Sequence, residues 1–288
     1  MNIHRVKIKE MLTACCFLAP SLIGFALFYL IPFGTSILYA FQDRLTAAWT
    51  LVNYSDLLSS LSFQKAAANT IRFTAISVPL LVTFSLIVAM LLNQRVFFRN
   101  WLRTAYVLPL IVPVASIVLF WQIMFDWNGV LNAFLQYAGW SRIDWMKSEW
   151  SEAVIILIYV WKNMGYNVVL FLAGLQNIPE QYYEIADLEG AGPIRKLFGF
   201  TLIYLTPTMF LVILMSVLNS FKVFRETYLI AGAYPQDRIY MLQHYMNNMF
   251  LSLDIQKLSA AATLMAVCIV VLVACLFLIE RMFRSFME

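Results

Sequence analysis

Six apolar runs, each long enough to cross a bilayer, constrain this chain more than any other feature. A hydrocarbon core about 30 Å thick takes about 20 helical residues. The runs fall roughly at Met11–Phe41, Ala67–Leu92, Thr104–Phe125, Glu152–Leu175, Thr201–Phe221 and Leu258–Phe283. Lipid offers no partner to backbone N–H and C=O groups, so each run must satisfy its own as a helix. Pro20, Pro32, Pro109 and Pro113 each remove a helix hydrogen bond and are expected to bend the first and third spans. The first run is longer than a span requires, which predicts tilt or an extension beyond the membrane. Composition agrees, with 62% of the 288 residues apolar and only 12% charged, against about 25% charged in soluble domains. The reading is an all-α integral membrane protein.

The charges between the runs orient it. Arg5, Lys7 and Lys9 precede the first run, Arg95, Arg99 and Arg103 lie between the second and third with no acid, and Arg281 and Arg284 close the sixth. Positive residues stay inside, so both termini are expected to be cytoplasmic. Residues 1–10 then form an arm, 11–283 the six-helix domain, and 284–288 a tail. Lys222, Arg225 and Arg238 fall outside on this scheme, with Glu226 and Asp237 beside them, so charge alone does not settle that last loop. Trp127, Trp140, Trp145 and Trp150 cluster in the outer connection 126–151, where they suit a membrane–water interface or a docking surface. Cys15, Cys16, Cys268 and Cys275 lie in apolar runs and read as small buried hydrophobes. Leu12-Thr13-Ala14-Cys15 has no apolar core before it, which points to an uncleaved first span.

Several chemistries find no support. The chain has no GxxxxGK[ST] loop for nucleotide phosphates, and its two histidines, His4 and His244, belong to no HExxH or Cys/His cluster. No Ser-His-acid set follows from spacing, and no basic stripe suggests nucleic acid. The expectation is a non-enzyme with no cofactor and no metal.

One polar interruption looks ordered. Gln176–Pro207 reads QNIPEQYYEIADLEGAGPIRKLFGFTLIYLTP. Asn177 is expected to cap a helix, with Pro179 in its first turn and Glu180 three residues after the cap. Glu180, Glu184 and Asp187 share a face at steps of four and three. Gly190 ends the helix and Ala191-Gly192-Pro193 turns the chain into the next. A well-capped surface helix with no further role would carry the same pattern.

Glu184-Ile185-Ala186, three residues, then Gly190 resembles the EAA loop of permease subunits in ATP-binding-cassette importers. In particular it resembles the binding-protein-dependent sugar permeases of the maltose and glycerol-phosphate type. FLAPSLIGFALFYLIP, Asn69-Thr70 opening the second span, FLAGLQNIPEQYYE and FKVFRETYLI extend it over nearly the whole chain. Departures are Ile185 for the second alanine, Glu189 for the aspartate before the glycine, and Phe200–Ile203 where the family ends in ITLP. The resemblance implies six helices of the type I importer permease kind, pairing with a second, homologous permease. It also implies a cytoplasmic ATPase dimer, which uses the ATP, and an extracellular solute-binding protein. The loop 176–200 would dock in the ATPase, with Glu180, Tyr183, Glu184, Ala186, Gly190 and Ala191 as coupling residues.

Trp161, Lys162, Asn163, Tyr166 and Asn167 lie near the middle of the fourth span. A lysine and two amides are costly toward lipid, so they must face a cavity or a partner helix. Trp161 and Tyr166 have the shape to stack on a sugar ring. Ser216, Asn219 and Ser220 share one side of the fifth span. The resemblance implies that these two helices line the pathway of a carbohydrate, either an oligosaccharide or a phosphorylated or otherwise charged sugar derivative, in a bacterial plasma membrane. Helix–helix packing explains the same polar residues equally well. An ion-coupled secondary transporter would require paired mid-membrane acids, and the predicted spans contain none.

Overall fold

In a computed structural model of the chain, residues 3–44, 46–94 and 99–287 are described. The basic side chains Arg5, Lys7, Lys9, Arg95, Arg99, Arg103 and Arg284 used above for orientation lie outside the described ones. The described residues are almost entirely helical, with one isolated bridge, Gln42 to Trp49. Among the described residues, six helical stretches are long and apolar enough to cross a membrane: Thr13–Ala40, Leu61–Asn93, Val114–Tyr137, Ser151–Gln176, Pro193–Ala231 and Ile255–Met282.

The chain divides into two units. The smaller joins residues 1–60 to 249–267. It opens with α1 (Ile3–Phe25), a π-helical turn at Ala26–Leu30 and α2 (Ile31–Ala40). The expected N-terminal arm is therefore the first turns of α1. Pro20 is carried inside α1, while Pro32 sits in the first turn of α2, just past the π turn, where its missing N–H costs least. A turn at 41–50 leads into α3 (Val52–Ser59). Buried Asn53 fastens it, its Nδ2 donating to the carbonyls of Ala40 at 3.1 Å and Gln42 at 2.9 Å.

The larger unit joins 61–248 to 268–288. Its frame is α4 (Leu61–Asn93), α5 (Arg99–Ile111), α6 (Val114–Phe125), α7 (Val130–Tyr137) and α8 (Ser151–Gln176). After it come α9 (Glu180–Leu188), α10 (Pro193–Lys196), a π turn at Leu197–Thr201 and α11 (Leu202–Ser220). Then follow α12 (Phe224–Ala231), α13 (Leu242–Leu251) and α14 (Ile255–Met287), the last two crossing between the units.

The third span departs from expectation. It is broken rather than kinked: α5 ends at Ile111, and Pro113, in an extended conformation, starts α6. Proline supplies no N–H and pushes the residue before it out of helix, whereas Pro109 is held inside α5. Beyond α6 the chain runs into α7, fixed by Asn132. This fully buried amide donates to the carbonyls of Asp126, Trp127 and Ile143 and accepts from Ile143 N–H and Trp145 Nε1.

The core has two clusters. One gathers Phe73, Leu81, Trp121, Phe125, Ile155, Ile158 and Tyr159; the other gathers Ala89, Leu92, Phe171, Leu172, Leu175, Leu205 and Val212. α4, α8 and α11 pack mutually around them. Gly174 sets the spacing of α8 on α11, because a Cβ there would lie 2.6 Å from Thr208 Oγ1 and 2.8 Å from Leu205 Cδ2. The cysteines are exposed, not buried: all four stand on outward helix faces, where an apolar side chain meets lipid without cost.

Asn69 and Thr70 lie two turns inside α4 rather than opening it, and they hold the segment after α12. Asn69 Nδ2 donates to the carbonyls of Asp237 at 2.6 Å and Tyr240 at 2.9 Å. Thr70 Oγ1 accepts from Leu242 N–H at 2.9 Å.

Candidate functional site

Two regions of the larger unit gather the expected residues. The first is on α8. Lys162, near the middle of this helix, forms an ion pair with Glu226 of α12. Glu226 is 4% exposed, and its Oε2 is buried without a hydrogen-bond partner. The pair lines a pocket of about 120 Å³ with Tyr159, Asn163, Asn219, Lys222 and Arg225. Asn163 Nδ2 donates to the Tyr159 carbonyl at 2.8 Å.

The sequence places no acid at mid-span, yet Glu226 reaches one. After the fifth predicted span the chain turns at Lys222 and Val223 and carries α12 alongside α6, so Glu226, expected outside, meets α8 at Lys162. Glu226, Lys222, Arg225 and Tyr159 are therefore site residues the sequence reading missed. The available signal was the need of Lys162 for a counter-ion, with Glu226 an unassigned acid a few residues past a span.

The seven expected pathway residues divide. Lys162, Asn163 and Asn219 line the pocket. Ser216 and Ser220 do not. Buried Ser216 accepts at Oγ from Asn167 Nδ2 (2.9 Å) and at its carbonyl from the Tyr159 hydroxyl (2.6 Å). Ser220 Oγ lies 2.8 Å from Thr74 Oγ1. These hydroxyls join α11 to α8 and α4, the packing alternative for short polar side chains between helices. Trp161 is also outside the pocket, packed edge-on against Trp121 at 5.5 Å and parallel to Phe120 at 6.4 Å. Tyr166, one turn beyond Lys162, is exposed and clear of the pocket. A larger cavity of about 470 Å³ lies elsewhere, lined by Trp121, Gln122, Asp126, Trp127, Asp144 and Lys147 among others.

The second region is the α9 turn. Asn177 does not cap α9; it ends α8, and extended Pro179 precedes Glu180 without any side-chain cap. With only Ile178 and Pro179 between the helices, Asn177 is still bonded into the last turn of α8 through its N–H. The C-terminal end matches expectation. Gly190 has φ +71°, its N–H donates to the Asp187 carbonyl at 3.0 Å, and Ala191 N–H reaches the Ala186 carbonyl at 2.8 Å. This is the Schellman closure, in which glycine takes the left-handed position. Nothing lies within 4 Å of a Cβ at Gly190, so the constraint is backbone angle and not space.

One face of α9 is anchored. Tyr183 Oη is 3.1 Å from Thr201 Oγ1, its ring meets Phe200 edge-on at 4.9 Å, Tyr182 packs on Tyr204 at 5.1 Å, and Asp187 pairs with Lys196. The opposite face is bare. Glu180 and Glu184 are exposed, as are Ile185 at 56% and Leu188 at 89%, and Ile194 and Phe198 follow at 73% and 66%. Four large apolar side chains around two carboxylates suit contact with a protein or a membrane surface better than water.

Comparison with known proteins gives a consistent answer. Residues 81–288 match the family described as binding-protein-dependent transport system inner membrane component. The arabinooligosaccharides transport system permease protein of Halalkalibacterium halodurans is 33% identical over 218 residues, covering 73% of this chain and 69% of that relative. Its Bacillus subtilis counterpart is 30% identical, over 74% of this chain and 70% of that one. The trehalose/maltose transport system permease protein of Thermococcus litoralis is 31% identical over 64% of this chain and 63% of its own length. In fold, the chain resembles a crystal structure of a bacterial ABC transporter involved in import of the acidic polysaccharide alginate. The TM-score is 0.86 at 20% identity, covering 97% of this chain and 99% of the other.

Proposed function

Because the chain belongs to the family of binding-protein-dependent transport system inner membrane components, we propose that it is a permease subunit of an ATP-driven importer for an oligosaccharide. It forms the solute pathway with a second, homologous permease and couples to a dimeric ATPase through the loop 176–200. The family member is a transport subunit and not an enzyme; ATP is hydrolysed by the partner. Both termini and the α9 turn lie on the cytoplasmic side, and an extracellular solute-binding protein docks on the opposite side.

The observation that carries coupling is the α9 turn itself. Its inner face is tied to the start of α11 through Tyr182, Tyr183 and the Asp187–Lys196 pair. Its outer face offers Glu184, Ile185 and Leu188. A helix gripped on that outer face by a moving ATPase transmits the displacement to α11, since one end of the lever is fixed to that span. In this reading Glu180 and Glu184 supply charge, Ala186 and Ala191 the close approach of the turn, and Gly190 its angle. The oligosaccharide assignment draws on relatives that transport arabinooligosaccharides and trehalose or maltose.

The test is purification of the tagged chain from native membranes with identification of what accompanies it. A second permease together with an ATPase is the expected result. A chain that comes out alone and moves solute into liposomes without ATP would overturn the proposal in favour of a secondary transporter.

A further inference from the structure

The pocket beside α8 carries more positive charge than the protein neutralises. Lys162, Lys222 and Arg225 line it, and Glu226 is the one acid among its lining residues. Glu226 is committed to Lys162. The other acids of neighbouring segments are committed elsewhere: Glu152 to Arg72 at 3.0 Å, Glu149 to Arg238 at 2.9 Å, and Asp237 to Lys65 at 2.6 Å. Lys222 and Arg225 make no ion pair or side-chain hydrogen bond among the described residues.

Depth makes this arrangement costly. The Lys162–Glu226 contact ties the start of α12 to the middle of α8, and Lys222 and Arg225 lie within a turn of Glu226. Two unpaired cations at that level cannot face lipid; they need water, an anion or both. A purely structural role would have matched them with acids, as it has for Lys65, Arg72 and Arg238. Asn163 and Asn219 add amide groups suited to hydroxyls on the same wall. The pocket has room for one small charged group, not for a sugar ring.

We infer that the imported saccharide is anionic, and that Lys222 and Arg225 receive its carboxylate, sulfonate or phosphate group while Asn163 and Asn219 meet its hydroxyls. This rests on the importer reading above and narrows its substrate class. Arg225 suits a two-oxygen acceptor through its planar fork, and Lys222 supplies a point charge.

The experiment is uptake into proteoliposomes holding the whole complex with its own solute-binding protein. The probes are a uronate oligosaccharide, a neutral oligosaccharide of equal length and a sugar phosphate. Uptake of the uronate or the phosphate in preference to the neutral probe is expected, and which of the two is taken identifies the anion. Lys222→Gln and Arg225→Gln should each lower that uptake by about tenfold, the low end for a charge-assisted hydrogen bond. Lys222→Arg and Arg225→Lys should recover much of it. Because the binding protein is unchanged in every variant, a loss belongs to this pocket. Preference for the neutral oligosaccharide overturns the anionic inference and leaves the oligosaccharide importer standing. Unchanged anion uptake in both glutamine variants overturns the assignment to Lys222 and Arg225. Failure to take up any of the three saccharides overturns the importer reading beneath it.

Discussion

Removing the Lys162 ammonium, as in Lys162→Met, leaves the Glu226 carboxylate 4% exposed with neither oxygen ion-paired. Breaking a buried pair from one side costs about 3–5 kcal/mol, because the remaining charge has lost both water and partner. Glu226→Gln is the milder change. The Lys162 side chain is 23% exposed against 6% for Glu226, so its ammonium can draw on pocket water; about 1–3 kcal/mol is expected, the range for an unsatisfied buried polar group. The double variant Lys162→Met, Glu226→Gln removes both charges and should lie within about 2 kcal/mol of the parent, since replacing a whole buried pair is often nearly neutral. The cycle therefore predicts a favourable coupling of at least about 2 kcal/mol. Denaturant unfolding of the purified protein in mild detergent, read by tryptophan fluorescence for all four proteins at one pH, measures it. A coupling below about 0.5 kcal/mol, the level of an exposed ion pair, would refute the claim that α12 is bound to mid-α8 through a desolvated charge pair.

Other outcomes follow from the same geometry. Gly190→Val forces a branched side chain to φ +71°, against a cost of about 1–2 kcal/mol for L-residues there; solute-stimulated ATP hydrolysis by the complex should fall while membrane insertion persists, and Gly190→Asn should retain most of the activity. Glu184→Lys should uncouple in the same assay, with normal stimulation sinking its coupling role. Gly174→Leu should lower the melting temperature of the purified protein, because Thr208 and Leu205 already stand within 2.8 Å of a Cβ. Burial pushes His244 down to about 4 from 6.5, with Nδ1 accepting from Met241 N–H at 3.2 Å, Nε2 unpartnered, and Phe224 and Tyr240 packed around the ring. The unfolded chain binds its proton below 6.5 and the folded one only near 4, so this stability is present above pH 6.5 and fades as pH falls through that window, by about 3 kcal/mol in total. His244→Gln should flatten the profile of unfolding free energy against pH over that range.

Periodicity and length made the spans legible, since a helix in lipid must be apolar over a set distance. The fourth span was located to within a residue at each end. The break at Pro113 was harder, because Pro109 has the same local chemistry and is nevertheless accommodated inside a helix; packing separates them, not sequence. The Gly190 turn was readable because a glycine after a helical run takes the left-handed closing position without a Cβ penalty. The cap at Asn177 was misread because a two-residue link let α8 claim that residue first. Ser216, Asn219 and Ser220 share a helix side, yet only Asn219 lines the pocket, while Ser216 and Ser220, three residues before it and one after, pack between helices. That division depends on where α4 and α8 lie. Glu226 was missed for a different reason: its partner is 64 residues earlier, and no local pattern encodes a helix that doubles back to mid-span depth.

Coupling through α9 requires its bare face to be the seat of the ATPase. A photo-crosslinking residue placed at Leu188, which is 89% exposed, tests this in native membranes, with mass spectrometry naming the captured protein. Capture of the ATP-hydrolysing subunit, diminished in Gly190→Val, is expected. Capture of lipid alone, or of an extracellular binding protein, would contradict it.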